Sequence, residues 1–265
     1  MDRNLGATKT YYTAPASGDN TADQAFGLFY QWGRKDPFPR ALGSTIDAGN
    51  ASASTIPIYG PDGKTVLSED GTGYKKVDIK TVGIVSGTNS LAYSVTHPLS
   101  LIFNSEHPYD WYATSEGNQN DALWDDKKEK NVYDPCPEGW RIAPDGTWSD
   151  FTRTTDNAQP LNGTFPYYIE GSPKEDGESG DYDITNGRLY KVSASGNGTP
   201  IAWYPASGYY HHANGTLGGV GCDGYYWSST ANEYNAPALS FYPQGLHSTR
   251  THGRAHGFQV RCIQE

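Results

Sequence analysis

The feature that most constrains this chain is the patterning of its C-terminal part. Gly224-Tyr225-Tyr226-Trp227-Ser228-Ser229-Thr230, Ala238-Leu239-Ser240-Phe241-Tyr242 and Gly257-Phe258-Gln259-Val260-Arg261-Cys262 are short runs of strand composition. Side chains alternate across a strand, so Leu239 and Phe241 share one face, and Phe258, Val260 and Cys262 share another. Ala238, Ser240 and Tyr242 then point away from the Leu239/Phe241 core face. The stretch from 243 to 256 is strongly polar, with Gln244, His247, Ser248, Thr249, Arg250, Thr251, His252, Arg254 and His256. It is expected to be too polar to bury while standing between two firm strands, and loops on rigid supports commonly carry function.

Upstream, 31 Gly and 17 Pro resist long helices and favour short strands joined by long loops. One helix is expected from Asp19 to about Gly33. There Thr21 and Gln24 form a capping-box pattern, and Ala25, Phe29 and Trp32 recur on one helical face. Val77-Asp78-Ile79-Lys80 alternates like a half-buried strand, and Leu91 to Phe103 is an apolar segment interrupted by Pro98. Two prolines and a glycine fix the backbone of Tyr133-Asp134-Pro135-Cys136-Pro137-Glu138-Gly139-Trp140-Arg141-Ile142, with Trp140 and Ile142 directed into a core. Asp145 is expected to cap a short helix through Trp148 and Phe151. Leu189–Val192 and Ile201–Tyr204 read as strands, the charge run from Trp124 to Lys130 as a solvated face, and Gly171–Gly187 as a surface excursion. Early helix signals and late strands, with no internal repeat or clean boundary, predict one irregular α+β domain over residues 1–265. An insertion-like segment is expected near 41–73.

A formal net charge of −10 argues against binding a nucleic-acid backbone as the main task. No apolar run of about 18 residues is present, so no membrane insertion is expected, and Met1-Asp2-Arg3-Asn4 is too polar to open a secretory signal. Cys136, Cys222 and Cys262 are too few for a disulfide scaffold. They read either as three buried thiols or as one bridge, Cys136–Cys262, with Cys222 free. His211-His212 is adjacent and His247, His252 and His256 lie close in sequence, but no HExxH motif or ligand-spaced carboxylate accompanies them. They are expected as exposed loop histidines, with neither metal nor cofactor, and at 247, 252 and 256 they would titrate near pH 6.5 if unperturbed. No GxSxG elbow, EF-hand loop or lectin calcium tripeptide occurs, and no enzyme activity is expected. Tyr209, Tyr210 and Tyr225 read either as exposed stacking surfaces for a sugar or as partly buried rings.

Met1-Asp2-Arg3-Asn4-Leu5-Gly6-Ala7, Gly27 to Phe38, Tyr133 to Arg141, Tyr226-Trp227-Ser228-Ser229-Thr230 and Val260-Arg261-Cys262 occur in that order. This set resembles the Fibrobacter succinogenes major paralogous domain, common in surface and fimbrillin-type proteins of Bacteroidetes. That family is similar in turn to the C-type-lectin-like fold of formylglycine-generating enzymes. The resemblance implies a C-type-lectin-like fold with long irregular loops and a cell-surface, extracellular or virion-associated location. It is compatible with an excised fragment or a short natural version. The tail also resembles the variable proteins of diversity-generating retroelements, in which a C-terminal segment is diversified on a fixed scaffold. That likeness implies a ligand-binding or adhesion module. Its surface would comprise Tyr225, Asn232, Tyr234, Asn235, Ser240, Tyr242, His247, Thr249, Arg250, His252, Arg254 and His256, and its partner a protein or glycan on another cell or virus. The alternatives are a fimbrial or pilus-tip subunit and a relic of a formylglycine-generating enzyme.

Overall fold

The computed structural model describes residues 1–38, 58–59, 66–67, 75–81, 84, 89–124, 130–151, 167–170, 185–192, 199–242 and 245–265. Most of the insertion-like segment, the surface excursion at 171–184 and the charge run at 125–129 lie outside them. The described residues are mainly β, with 36% strand and 10% helix. This corrects the expected α+β class. The expected helix at 19–33 accounts for much of the difference, since only Ala22–Ala25 makes a helical turn, of 3-10 type. The Thr21 side chain does not cap it but donates to Asp19 Oδ1 at 2.7 Å. Gly27 then adopts φ +73°, where a Cβ would lie 2.6 Å from the Leu5 carbonyl oxygen. The chain leaves this turn as strand β1 (Phe29–Gln31), buried along its whole length.

Strands β2 (Ile58–Tyr59) and β3 (Val66–Leu67) form a small antiparallel pair. Strand β4 (Lys75–Asp78) runs parallel to β5 (Ser100–Phe103), connected through helix α1 (Asn89–Thr96). Pro98 divides this apolar segment, because the residue before a proline is driven from the helical region. Strand β6 (Trp140–Ile142) follows the Pro-Cys-Pro loop. Strands β7 (Tyr167–Glu170), β8 (Gly187–Val192) and β9 (Thr199–Pro205) make an antiparallel meander. The principal sheet adds β10 (Ser207–Tyr210), β11 (Leu217–Val220), β12 (Gly224–Trp227), β13 (Asn235–Tyr242), β14 (Gly245–Gly253) and β15 (Gly257–Gln259) to β1. Its order is β1-β15-β10-β12-β13-β14, with β11 on β10. Finally β16 (Cys262–Gln264) pairs with β6.

Both faces of this sheet are covered, so the expected solvent face of β13 is absent. Leu239 and Phe241 enter a core with Trp148, Tyr190, Tyr204 and Tyr226. Ala236 and Ala238 enter the opposite core with Trp32, Trp111, Trp227, Phe258 and Val260. Ser240 is likewise fully buried. The polar stretch after 243 is not an exposed loop either: most of it is β14, an edge strand held antiparallel along β13. Pairing satisfies the backbone groups that face β13, and Ser248 on β14 and Arg254 just beyond it are buried.

The Pro-Cys-Pro loop closes the molecule. The Lys130 ammonium donates to the carbonyls of Cys136, Pro137 and Trp140, the last two at 2.7 and 2.8 Å. Asp134 accepts from the backbone N–H of Cys136 and Ile142. Cys136 is bridged to Cys262, and Cys222 is a buried cysteine outside the disulfide. Near the chain ends, Leu5 N–H donates to the Val260 carbonyl at 2.8 Å, and Arg261 donates to Asn4 Oδ1.

Candidate functional site

A continuous band of rings lies where the principal sheet emerges from its larger core. Its floor is Phe258, fully buried on β15. Tyr225 stacks on it at 4.6 Å between ring centroids and His256 at 5.0 Å, while His252 meets it edge-on at 5.1 Å. Strand geometry explains the convergence. Tyr226 and Trp227 alternate into opposite cores, which leaves Tyr225 at the rim on the Trp227 side. His252 reaches the same rim from β14, in register with Ala236, whose small side chain leaves room above the sheet.

The band continues from His256 to His212 at 4.6 Å and from His212 to His211 at 4.5 Å. Tyr209 touches Tyr225 and His256, at 5.0 and 5.7 Å. At the far end Tyr109 meets His212, and His107 meets both Tyr109 and Tyr234. Two non-glycine residues with positive φ flank this end, Tyr109 at +58° and Glu233 at +51°. Such backbone persists only where surrounding structure holds it, and it recurs at functional sites.

The imidazoles are held neutral. Burial, then Arg250 and nearby histidines, pushes His252 down to about 3. Burial, then the neighbouring imidazoles, holds His256 well below its ordinary 6.5, and burial also lowers His211 and His212. This corrects the expectation of exposed histidines titrating near pH 6.5 at 252 and 256. Hydrogen bonds fix three tautomers. His212 and His256 donate from Nδ1 to the carbonyls of Asn104 and Tyr210, each at 3.2 Å, which leaves their Nε2 atoms unprotonated. His211 Nδ1 accepts from Ala213 N–H at 3.1 Å, so its proton sits on Nε2. His252 Nε2 is buried without a hydrogen-bond partner. Among the described residues no group of three or more His, Cys, Asp or Glu side chains is arranged to hold a metal ion.

The twelve positions marked by the sequence therefore separate. Tyr225, His252 and His256 form the centre of the band, Tyr234 ends it, and Arg250 stands exposed beside His252. Tyr242 and His247 pair with each other, Oη to Nε2 at 2.6 Å. Thr249 is partly buried on β14, and Asn232 and Asn235 bridge a turn. Ser240 and Arg254 are buried in the scaffold and are corrected as surface residues. Arg254 donates to Asp121 Oδ1 at 2.7 Å and to the Glu233 and Asn235 carbonyls, over the Trp32 ring. Tyr210 too is fully buried. Sequence reasoning missed the parts played by His107, Tyr109, His211 and His212. The only signal was the adjacency of the last two.

An open groove of about 1370 Å³ runs beside the disulfide, lined by Lys35, Lys130, Glu138, Arg141 and Ile263 among others. It mixes charges and presents no aromatic face, so the band is the better candidate.

The model of the Fibrobacter succinogenes major domain matches residues 6–264. The chain belongs to this family. No curated protein matches it, and no solved structure matches it. In this Fibrobacter succinogenes major domain the recognised motifs are structural. Trp227 is fully buried and donates from its indole N–H to the Tyr30 carbonyl at 2.8 Å. Trp32 donates likewise to Ser228 O, and Trp111 to Trp32 O. Together they cross-link the early and late motifs beneath the band.

Proposed function

We propose that this domain is a ligand-binding, adhesion-type module that recognises a partner on another cell or virus through the ring band. The observation that carries this reading is the band itself, half-buried tyrosines and imidazoles set on rigid strands. The hydroxyls of Tyr109, Tyr225 and Tyr234 have no protein hydrogen-bond partner among the described residues, so they are available to a ligand. Tyrosine supplies large, stiff contact area at low entropic cost, and imidazole adapts its hydrogen bonding. The Cys136–Cys262 bridge suits an oxidising compartment and supports a location outside the cytosol. Diversification between copies of the gene, if this tail is used as the retroelement likeness implies, would fall at Tyr225, Tyr234, Arg250, His252 and His256 and spare Ser240 and Arg254.

A display screen against cell-surface proteins and glycans tests the reading. The wild type is compared with a Tyr109→Ala, Tyr234→Ala, Arg250→Ala variant whose folding is checked by circular dichroism. Ligands captured by the wild type should be lost by the variant. Equal capture by both would place recognition elsewhere.

A further inference from the structure

Four imidazoles, those of His211, His212, His252 and His256, lie in one chain of ring contacts spaced 4.5 to 6.0 Å apart. The charged and titratable groups around them are few. Arg250 and His247 face His252 from β14. Asp223, Tyr209 and Arg250 face Tyr225. Tyr109 faces His212, and His107 beyond it is already paired with Glu116. Asp223 is thus the one carboxylate acting at the Tyr225 end, and no carboxylate acts on the four imidazoles among the described residues. Arg250 is exposed and forms no ion pair there. On a chain of net charge −10 this sets one exposed guanidinium beside four neutral, protonatable imidazoles without a matching acid.

The hydrogen bonding favours donors. Tyr109, Tyr225 and Tyr234 offer free hydroxyls, His211 offers Nε2–H, and Arg250 offers its guanidinium. His212 and His256 keep Nδ1–H on backbone carbonyls, so a proton gained at Nε2 adds a donor without breaking an existing bond. His252 Nε2 awaits a partner. Flat ring edges set among hydroxyl donors match the body of a sugar, and the imidazoles with Arg250 match a carboxylate on it.

We propose that the ring band binds a carboxylated sugar, a uronic or sialic acid unit of an acidic glycan, and takes up protons as it does so. This rests on the ligand-binding reading above and adds the ligand's chemistry. An anion beside these imidazoles favours their charged form, so binding draws protons onto His212, His252 or His256. By linkage, affinity rises as pH falls.

The test is titration calorimetry of the full chain with tetragalacturonate, its methyl ester and sialyllactose, at pH 5.0 and 7.5, in buffers of different ionisation enthalpy. The expected result is binding of at least one free acid, tighter at pH 5.0 than at pH 7.5 by about tenfold for each pH unit over which one proton is taken up, with net proton uptake. The methyl ester should bind at least tenfold more weakly than tetragalacturonate if that is the acid bound. Arg250→Gln and His256→Gln should each weaken binding, the second also flattening the pH dependence. His97→Gln, whose ring stacks on Tyr93 of α1 outside the band's ring contacts, should bind like the wild type. Failure of both free acids to bind, equal binding of acid and ester, or affinity independent of pH each overturns the proposal. If the display screen finds ligands that depend on the band but not on pH, this inference falls and the ligand-binding reading stands.

Discussion

Arg254 shows how one side chain can carry a recognition-type residue into a structural task. It is 1% exposed, yet its guanidinium lies 4.3 Å over Trp32 and bonds Asp121 and two carbonyls of the turn that holds Tyr234. Arg254→Ala removes these bonds and the contact with Trp32, and leaves a cavity at a buried position. It is expected to cost about 2–4 kcal/mol in urea denaturation. Arg250→Ala, on an exposed side chain, should stay within about 0.5 kcal/mol of the wild type. The two arginines are four residues apart in the same polar stretch, and nothing in composition separates them. His252 gives a second contrast. Its Nε2 is buried without a partner while its ring packs on Phe258 and Tyr225. His252→Phe keeps the ring contacts and removes the unsatisfied nitrogen. Thermal unfolding should therefore show stability unchanged or raised by about 1 kcal/mol, together with weaker ligand capture. A clear loss of stability would mean that the nitrogen is satisfied in solution.

At the scale of elements, strand type was readable where side-chain alternation was strong and misread where it met a competing signal. Leu239/Phe241 placed β13 correctly, whereas the run from Gly257 to Cys262, read as one strand, divides into β15 ending at Gln259 and β16 beginning at Cys262. Ala25, Phe29 and Trp32 fit a helical face equally well as a numerical pattern, and the close approach of Leu5 at Gly27 decided for a turn and strand. Strand β14 was read as a loop because its residues are polar. Pairing along β13 supplies the partners that polarity alone would have sought in water. Strand β10 also depends on a backbone detail that sequence shows only as a glycine. Gly208 has φ +75°, and a Cβ there would stand 2.2 Å from the Gly218 carbonyl oxygen and 2.8 Å from Val220 N. Gly208→Ala must strain the backbone and push β11 from β10, at an expected cost of about 2–4 kcal/mol. Because Tyr209 follows directly, the same variant should disturb the band, read as altered tyrosine fluorescence as well as a lower melting temperature.

For the whole molecule, the family was legible because its motifs are contiguous and rigid. The site was only partly so, because His107, Tyr109, Tyr209, His211, Tyr225, His252 and His256 converge from distant segments that only folding brings together. The Cys136–Cys262 bridge ties two such segments across a separation of 126 residues. On the chain-entropy account its reduction should cost about 4–5 kcal/mol, seen as a lower urea midpoint in dithiothreitol. Acid should act on the whole fold through the band. The unfolded chain protonates His252 and His256 near pH 6.5, whereas the native state holds them neutral, His252 to about 3. Between those limits the unfolded state binds more protons, so stability falls as pH falls. Two buried carboxyls oppose this: burial pushes Asp110 up to about 6 and raises Asp134, so the native state takes those protons first. His211 and His212, also lowered, act with His252 and His256. The histidines outnumber the opposing carboxyls, and a net loss of about 1 kcal/mol per pH unit is expected around pH 5. Urea denaturation from pH 7.5 to 4.5 measures it. Because His252→Phe and His256→Gln each remove one of the responsible imidazoles, both variants should show a shallower slope than the wild type, and an unchanged slope would show that these imidazoles do not carry the acid sensitivity.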